Sequence, residues 1–172
     1  MMTLILGGVR SGKTRLAEKI ATETGLPVVY LATANAGDIE MSYRINKHKE
    51  RRDSNWLTIE EEINLASAIQ EYSVKGNAVI VDCLTLWMTN LLLQLTDRDI
   101  KSQQARLIET LRTLESPVFI VSNETNLGII PIDALSRRFC DEIGVLHQQL
   151  GQIADEVIFM VAGIPHLIKS SP

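Results

Sequence analysis

The stretch Thr3-Leu4-Ile5-Leu6-Gly7-Gly8-Val9-Arg10-Ser11-Gly12-Lys13-Thr14 decides the fold. Residues 3–6 read as a short buried strand, and residues 7–14 follow it as G-x-x-x-x-G-K-[ST], directly ahead of a helical pattern over 13–24. Glycines let backbone wrap a phosphate closely, so that successive N–H groups and the helix N-terminus point at the anion. In such a loop Lys13 is expected to hold the β- and γ-phosphates of a nucleotide, and the Thr14 hydroxyl to ligate Mg²⁺.

Outward from this loop, apolar runs at 28–32, 78–82, 118–122 and 156–161 read as further strands, most without the strict alternation of a half-exposed sheet. Helical patterns fall at 39–52, 60–72, 84–95, 101–114 and 134–154. This alternation predicts an α/β fold: a P-loop, RecA-like three-layer sandwich with a mostly parallel central sheet, with ligands at the carboxyl ends of the strands. No internal repeat or linker divides the 172 residues, so residues 1–172 are expected to form a single nucleotide-binding domain.

Seventeen Lys+Arg against 21 Asp+Glu give a formal net charge of −4, so no global field attracts nucleic acid or an anionic membrane. Phosphate binding must therefore be local. Cys83 and Cys140 are the two cysteines, and no Cys or His stands at metal-ligand spacing. The apolar stretch 84–95 is too short and too polar to span a bilayer, so no membrane insertion is expected. The N-terminus lacks the basic start and cleavage site of a secretion signal, and a cytoplasmic location is expected.

The run Ala78-Val79-Ile80-Val81-Asp82 closes an apolar strand with a carboxylate, and beside a P-loop Asp82 is expected to hold Mg²⁺ or its water. An Asn-Lys-x-Asp guanine-reading box is absent, since Asn46-Lys47 is followed by His48-Lys49, which disfavours a regulatory G domain. If the segment around His48 is helical, Arg44, Lys47, His48 and Arg51 share one face. Nearby positive charge disfavours imidazolium, and a neutral imidazole among phosphate-gripping cations is equipped to attack phosphorus. A solvated basic face with an incidental histidine fits the same residues equally well. His147, in an amphipathic helix, and His166, in the C-terminal tail, read as structural or solvent-facing.

The residues of this loop, Tyr30-Leu31-Ala32-Thr33-Ala34, Arg44-Ile45-Asn46-Lys47-His48-Lys49-Glu50-Arg51-Arg52, Val81-Asp82-Cys83-Leu84-Thr85-Leu86-Trp87, Ser122-Asn123-Glu124 with Gly128-Ile129-Ile130-Pro131, and Met160-Val161-Ala162-Gly163-Ile164-Pro165 together resemble the bifunctional adenosylcobinamide kinase / adenosylcobinamide-phosphate guanylyltransferase family of cobalamin biosynthesis, over nearly the whole chain. The R-I-x-x-H block and the N-E…G-I-[IV]-P block are more specific than the P-loop. The resemblance implies phosphorylation of adenosylcobinamide by ATP or GTP, then transfer of GMP from GTP to the new phosphate. It implies that His48 forms a guanylyl-histidine intermediate, and that residues 7–14, Ala32, Thr33, Ala34, Lys49, Glu50, Arg51, Arg52, Glu60 (rather than Glu61) and Asp82 contact nucleotide. It implies a homotrimer.

The family usually has glycine where this chain has Asn126, the non-glycine residue type that best tolerates positive φ. Asn123-Glu124 fits both a strand-end turn with a helix cap and a rim facing substrate. Arg137 and Arg138 fit a solvated helix face or a subunit contact better than a phosphate grip, and Trp56 and Trp87 fit core or interface positions better than stacking platforms. Two other functions share the P-loop: a small-molecule or nucleotide kinase without a covalent step, and a nucleotide-dependent switch or assembly subunit.

Overall fold

The computed structural model describes residues 1–34, 55–73 and 76–170. Its strands are β1 (Met2–Gly7), β2 (Val28–Ala32), β3 (Leu57–Glu60), β4 (Ala78–Asp82), β5 (Val118–Asn123), β6 (Glu156–Val161) and β7 (Ile164–Ser170). They form one sheet in the order β3-β2-β4-β5-β1-β6-β7. Every pairing among β1 to β6 is parallel, and β7 runs antiparallel to β6. The carboxyl ends of six strands therefore share one edge, which carries the P-loop, residues 33–34, 60–61, 82–83 and 123–124 and the β6–β7 turn.

The helices are α1 (Lys13–Glu23), α2 (Leu65–Tyr72), α3 (Leu84–Gln94), α4 (Asp97–Arg112) and α5 (Ala134–Ile153). Alternate strand residues feed two cores. Leu4, Leu31, Val79, Val81 and Ile120 pack with α2 to α5 on one face. Ile5, Tyr30, Ile80, Phe119 and Val121 pack with Ala17 and Ala21 of α1 on the other. Central strands covered on both faces have no reason to alternate apolar with polar residues, which is why β1, β2, β4 and β5 read as continuous apolar runs. The expected P-loop sandwich of RecA-like type, with a mostly parallel sheet between helical layers, is the fold observed.

Three boundaries differ from the sequence expectation. Residues 57–60 are an edge strand, with Val29 to Ala32 paired in register to Leu57 to Glu60, so the helix expected from residue 60 starts at Leu65. Its start is set by Glu61, whose Oε1 accepts the N–H groups of Ile63 (2.8 Å) and Asn64 (2.6 Å), a carboxylate on otherwise unsatisfied donors. Residues 164–170, assigned no element from sequence, form β7, joined to β6 through Ala162 (φ 52°) and Gly163 (φ 82°). Helix α4 begins at Asp97 rather than residue 101, because Thr96 caps it by accepting the Asp99 N–H. The helical pattern expected over 39–52 lies outside the described residues.

Candidate active site

The loop between β1 and α1 has the conformation its glycines allow. Gly7 has φ +150°, and a Cβ there would sit 2.5 Å from the Met160 carbonyl oxygen, so no other residue type fits without displacing β6. Arg10 and Gly12 are also at positive φ, 57° and 99°. Helix α1 has no side-chain cap at Gly12 and no acidic residue in its first turn, leaving its leading N–H groups and positive dipole end to an anion. Gly163 N–H donates to the Ser11 carbonyl at 3.1 Å, which ties the β6–β7 turn to the loop.

Lys13 is buried, and its Nζ donates to the Gly8 carbonyl at 2.7 Å. Burial pulls the Lys13 ammonium below its ordinary value, and the Asp82 carboxylate opposes the shift. Asp82 ends β4 on the α1 side of the sheet. Its Oδ2 accepts the hydroxyls of Thr14 (2.8 Å) and Tyr30 (2.5 Å). The Tyr30 ring stacks on Trp56 at a centroid distance of 6.5 Å. Thr14 and Asp82 thus present two hard oxygen donors side by side, a set that suits Mg²⁺ completed by phosphate and water oxygens. Among the described residues no group of three or more His, Cys, Asp or Glu side chains could hold a metal without such help. Cys83 follows directly, and burial, first, with the Asp82 charge, pushes its thiol up to about 12, so it stays protonated and inert.

Thr33 lies behind this edge, fully buried. Its hydroxyl donates to the Cys83 carbonyl (2.6 Å) and accepts the Cys83 N–H (2.9 Å), while Asn90 Nδ2 donates to the Thr33 carbonyl (2.8 Å). Its side chain is committed to joining β2 to β4. Glu60 ends β3, exposed, in register with Ala32. Four inter-strand steps separate β3 from β1, about 19 Å at ordinary sheet spacing. Glu60, at the β3 end of the strand edge, and the P-loop therefore stand well apart, whereas Glu61 is spent on the turn into α2.

His48, Lys49, Glu50, Arg51 and Arg52 lie outside the described residues. Trp87 is buried, and its Nε1 donates to the Ile63 carbonyl (2.9 Å), as expected of a core residue. Arg138 pairs with Asp97 at 2.7 Å, and Arg137 donates to the Pro131 and Ile132 carbonyls, so both act within the surface of this chain. Asn126 is not among the positive-φ residues. Its Nδ2 donates instead to the Cys140 carbonyl at 2.9 Å, so the turn survives without glycine.

The sequence does not single out Tyr30 as a partner of Asp82, although an aromatic hydroxyl in a wholly buried strand needs a partner. His147, read as structural, is buried, and its Nε2 lies 2.8 Å from the Ser122 hydroxyl. The signal was its position on the inner face of α5, with Ile143, Leu146 and Leu150.

A phosphate loop, a hydroxyl and a carboxylate meeting at the carboxyl edge of a parallel sheet define a P-loop nucleotide-binding protein. Solved structures share this fold at low sequence identity. The flagellar accessory protein FlaH from Methanocaldococcus jannaschii superposes over 99% of this chain and 78% of its own, at 13% identity and TM-score 0.56. An ATPase of a bacterial type III secretion system covers 93% of this chain and 52% of its own, at 14% identity and TM-score 0.55. Residues 3–168 match the family model "Cobinamide kinase / cobinamide phosphate guanyltransferase", and the chain belongs to that family. Its relatives include the bifunctional adenosylcobalamin biosynthesis protein CobP of Pseudomonas aeruginosa, 48% identical over 100% of this chain and 99% of the relative. The protein CobU of Salmonella typhimurium, also described as a bifunctional adenosylcobalamin biosynthesis protein, is 35% identical over 98% and 100%. Cobinamide kinase and cobinamide-phosphate guanylyltransferase activities follow from that membership.

Proposed function

We propose that this protein phosphorylates adenosylcobinamide with ATP or GTP and then transfers GMP from GTP to the product through a guanylyl-His48 intermediate, giving adenosylcobinamide-GDP. The observation that carries the reading is the P-loop joined to Asp82 through Thr14 within a chain of this family. In the first reaction the cobinamide hydroxyl oxygen bonds to the γ-phosphorus, the bond to the β,γ-bridging oxygen breaks, and the nucleoside diphosphate leaves. Lys13 and the α1 N-terminus bind and orient the phosphates, and Lys13 compensates charge on the leaving oxygen. Thr14 and Asp82 would hold Mg²⁺, which supplies Lewis-acid neutralisation of the phosphate charge.

In the second reaction an imidazole nitrogen of His48 bonds to the α-phosphorus of GTP and pyrophosphate departs. A phosphate oxygen of the cobinamide phosphate then attacks the same phosphorus and frees His48. Gly7 to Thr14, Ala32 to Ala34, Lys49 to Arg52, Glu60 and Asp82 form the nucleotide contacts in this reading. Because Thr33 spends its hydroxyl on Cys83, contact from that segment falls to Ala34 and backbone. The separation between Glu60 and the P-loop fits a nucleotide lying along the strand edge, its triphosphate at β1 and its far end towards β2 and β3.

Residues 1–172 act as one catalytic unit in the cytoplasm, as a homotrimer. Exposed Leu127, Ile129, Ile130 and Ile132 offer apolar surface for that association, and sedimentation equilibrium measures it. Among the described residues no helix is long and apolar enough to cross a membrane.

Incubation with adenosylcobinamide, Mg²⁺ and each nucleotide, with products resolved by mass, tests the function. The phosphate ester with either nucleotide, and the GDP adduct with GTP, are expected. His48→Ala should abolish the adduct and leave the phosphate ester. Normal adduct formation by His48→Ala would refute the covalent route.

A further inference from the structure

The carboxyl end of β5 carries a buried polar chain that the phosphate chemistry above does not use. Asn123 N–H donates to Thr85 Oγ1 at 2.8 Å. Thr85 Oγ1 lies 3.4 Å from Ser122 Oγ, which lies 2.8 Å from His147 Nε2. His147 Nδ1 faces Glu124 Oε2 at 3.7 Å and has no hydrogen-bond partner, although the ring is only 8% exposed. A carboxylate is an acceptor, so the nitrogen facing it carries the hydrogen and Nε2 is left to accept the Ser122 proton. Ser122 is fully buried and is no nucleophile; the chain runs one way, towards Glu124.

Glu124 is anchored by two further contacts, one of them braced in turn. Its N–H donates to the Gly7 carbonyl at 3.0 Å, its Oε1 accepts the Asn126 N–H at 2.7 Å, and Asn126 is bound in turn to Cys140 of α5. These contacts leave the carboxylate further acceptor directions. β5 is the strand next to β1, about 4.8 Å away, and the Glu124 backbone is bound to Gly7, so Glu124 stands beside the start of the P-loop. The other carboxylates described on this edge are placed differently: Asp82 receives Thr14 and Tyr30, Glu61 holds the turn into α2, and Glu60 is four strands distant from the P-loop strand.

We propose that Glu124 is the general base of the kinase reaction, accepting the proton of the cobinamide hydroxyl as its oxygen bonds to the γ-phosphorus, and that His147 is the residue that positions it. The O–H bond breaks, the proton rests on the Glu124 carboxylate, the P–O bond to the leaving nucleoside diphosphate breaks, and the proton later passes to water. Closure of His147 Nδ1–H on Glu124 needs a movement of about 0.8 Å to reach hydrogen-bond distance. Desolvation holds His147 neutral against the opposing pull of Glu124, which keeps the imidazole a donor at Nδ1 and an acceptor at Nε2.

The two family reactions separate this role from a structural one. Guanylyl transfer has an already ionised phosphate as acceptor and needs no base for it, whereas phosphorylation of an alcohol does. The experiment measures kcat and KM for phosphorylation of cobinamide, and guanylyl transfer from GTP to prepared cobinamide phosphate, for Glu124→Gln, His147→Leu and His147→Gln. Glu124→Gln should lower the phosphorylation kcat about 100-fold with nucleotide KM unchanged and guanylyl transfer within about twofold of the parent. His147→Leu should lower the same kcat, and His147→Gln, which keeps a donor and an acceptor, should restore most of the loss. Glu124→Gln that phosphorylates cobinamide at the parent rate, or that loses both reactions together, overturns the assignment of the base. His147→Gln as impaired as His147→Leu overturns the positioning role.

Discussion

Thr14 and Asp82, 68 residues apart, share a hydrogen bond of 2.8 Å although β5 separates the strands that precede them. The contact is possible because α1 lies across β1, β5 and β4 rather than along its own strand. The helix carries the last residue of the phosphate loop over the strand that ends in the carboxylate. Asp82→Asn should lower phosphorylation at least about 100-fold and raise the Mg²⁺ concentration needed for half-maximal rate, read from Mg²⁺ titrations. Tyr30→Phe removes one donor to Asp82 and should cost about 1 kcal/mol of stability, with a much smaller kinetic effect.

Lys13 is the cation buried at the head of α1, within the loop that both reactions need for the triphosphate. Lys13→Ala should lower phosphorylation and guanylyl transfer alike, each by about 100-fold or more. Steady-state rates of the two reactions on one preparation check this, and loss of only one would assign separate phosphate sites to them.

Gly7→Ala should destabilise the fold as well as the site. The new Cβ would stand 2.5 Å from the Met160 carbonyl and 2.9 Å from Ser11 Oγ, at a φ of +150°. The backbone of β6 must move, at a cost of about 3 kcal/mol, or roughly 6–12 °C in Tm for a chain of this size. Thermal unfolding measures it, and an unchanged Tm would mean that the β6–β7 hairpin yields freely.

The burial of neutral His147 makes stability depend on pH. Its folded pKa is depressed by desolvation, so below the ordinary imidazole value of about 6.5 the unfolded chain binds a proton that the folded chain refuses. The stability contributed by the neutral ring is complete above pH 6.5 and falls as pH drops from there towards the folded pKa. His147→Gln should flatten this slope by up to one proton, measured by denaturant unfolding between pH 7 and 5. Identical slopes for the parent and variant would show that His147 titrates in the fold as it does in water.

Residues 7–14 and Asp82 could be read from sequence because both the chemistry and the chain direction are local: a strand, a glycine loop and a helix in immediate succession, and an apolar run closed by one acid. The same locality made the central strands plain. The strand at 57–60 is not legible, and the helix pattern extends back to residue 60, because a four-residue edge strand has too little pattern to outweigh the acidic residues that follow it. β7 was missed because its pairing depends on a turn at Ala162 and Gly163, and most of its side chains face solvent. The joining of Tyr30 to Asp82, and of Thr85 and Ser122 to His147, depends on sheet order and on a helix crossing strands, neither of which any spacing along the chain encodes.

The most direct test of the guanylyl-histidine account uses the protein with Mg²⁺ and GTP labelled at the α-phosphorus, followed by denaturation and treatment of the protein-bound label with acid and with alkali. Label that is acid-labile, alkali-stable and lost in His48→Ala is the expected result, and places a phosphoramidate at His48. No protein-bound label, under conditions where GTP demonstrably binds, would contradict the covalent route and leave His48 at most a phosphate contact.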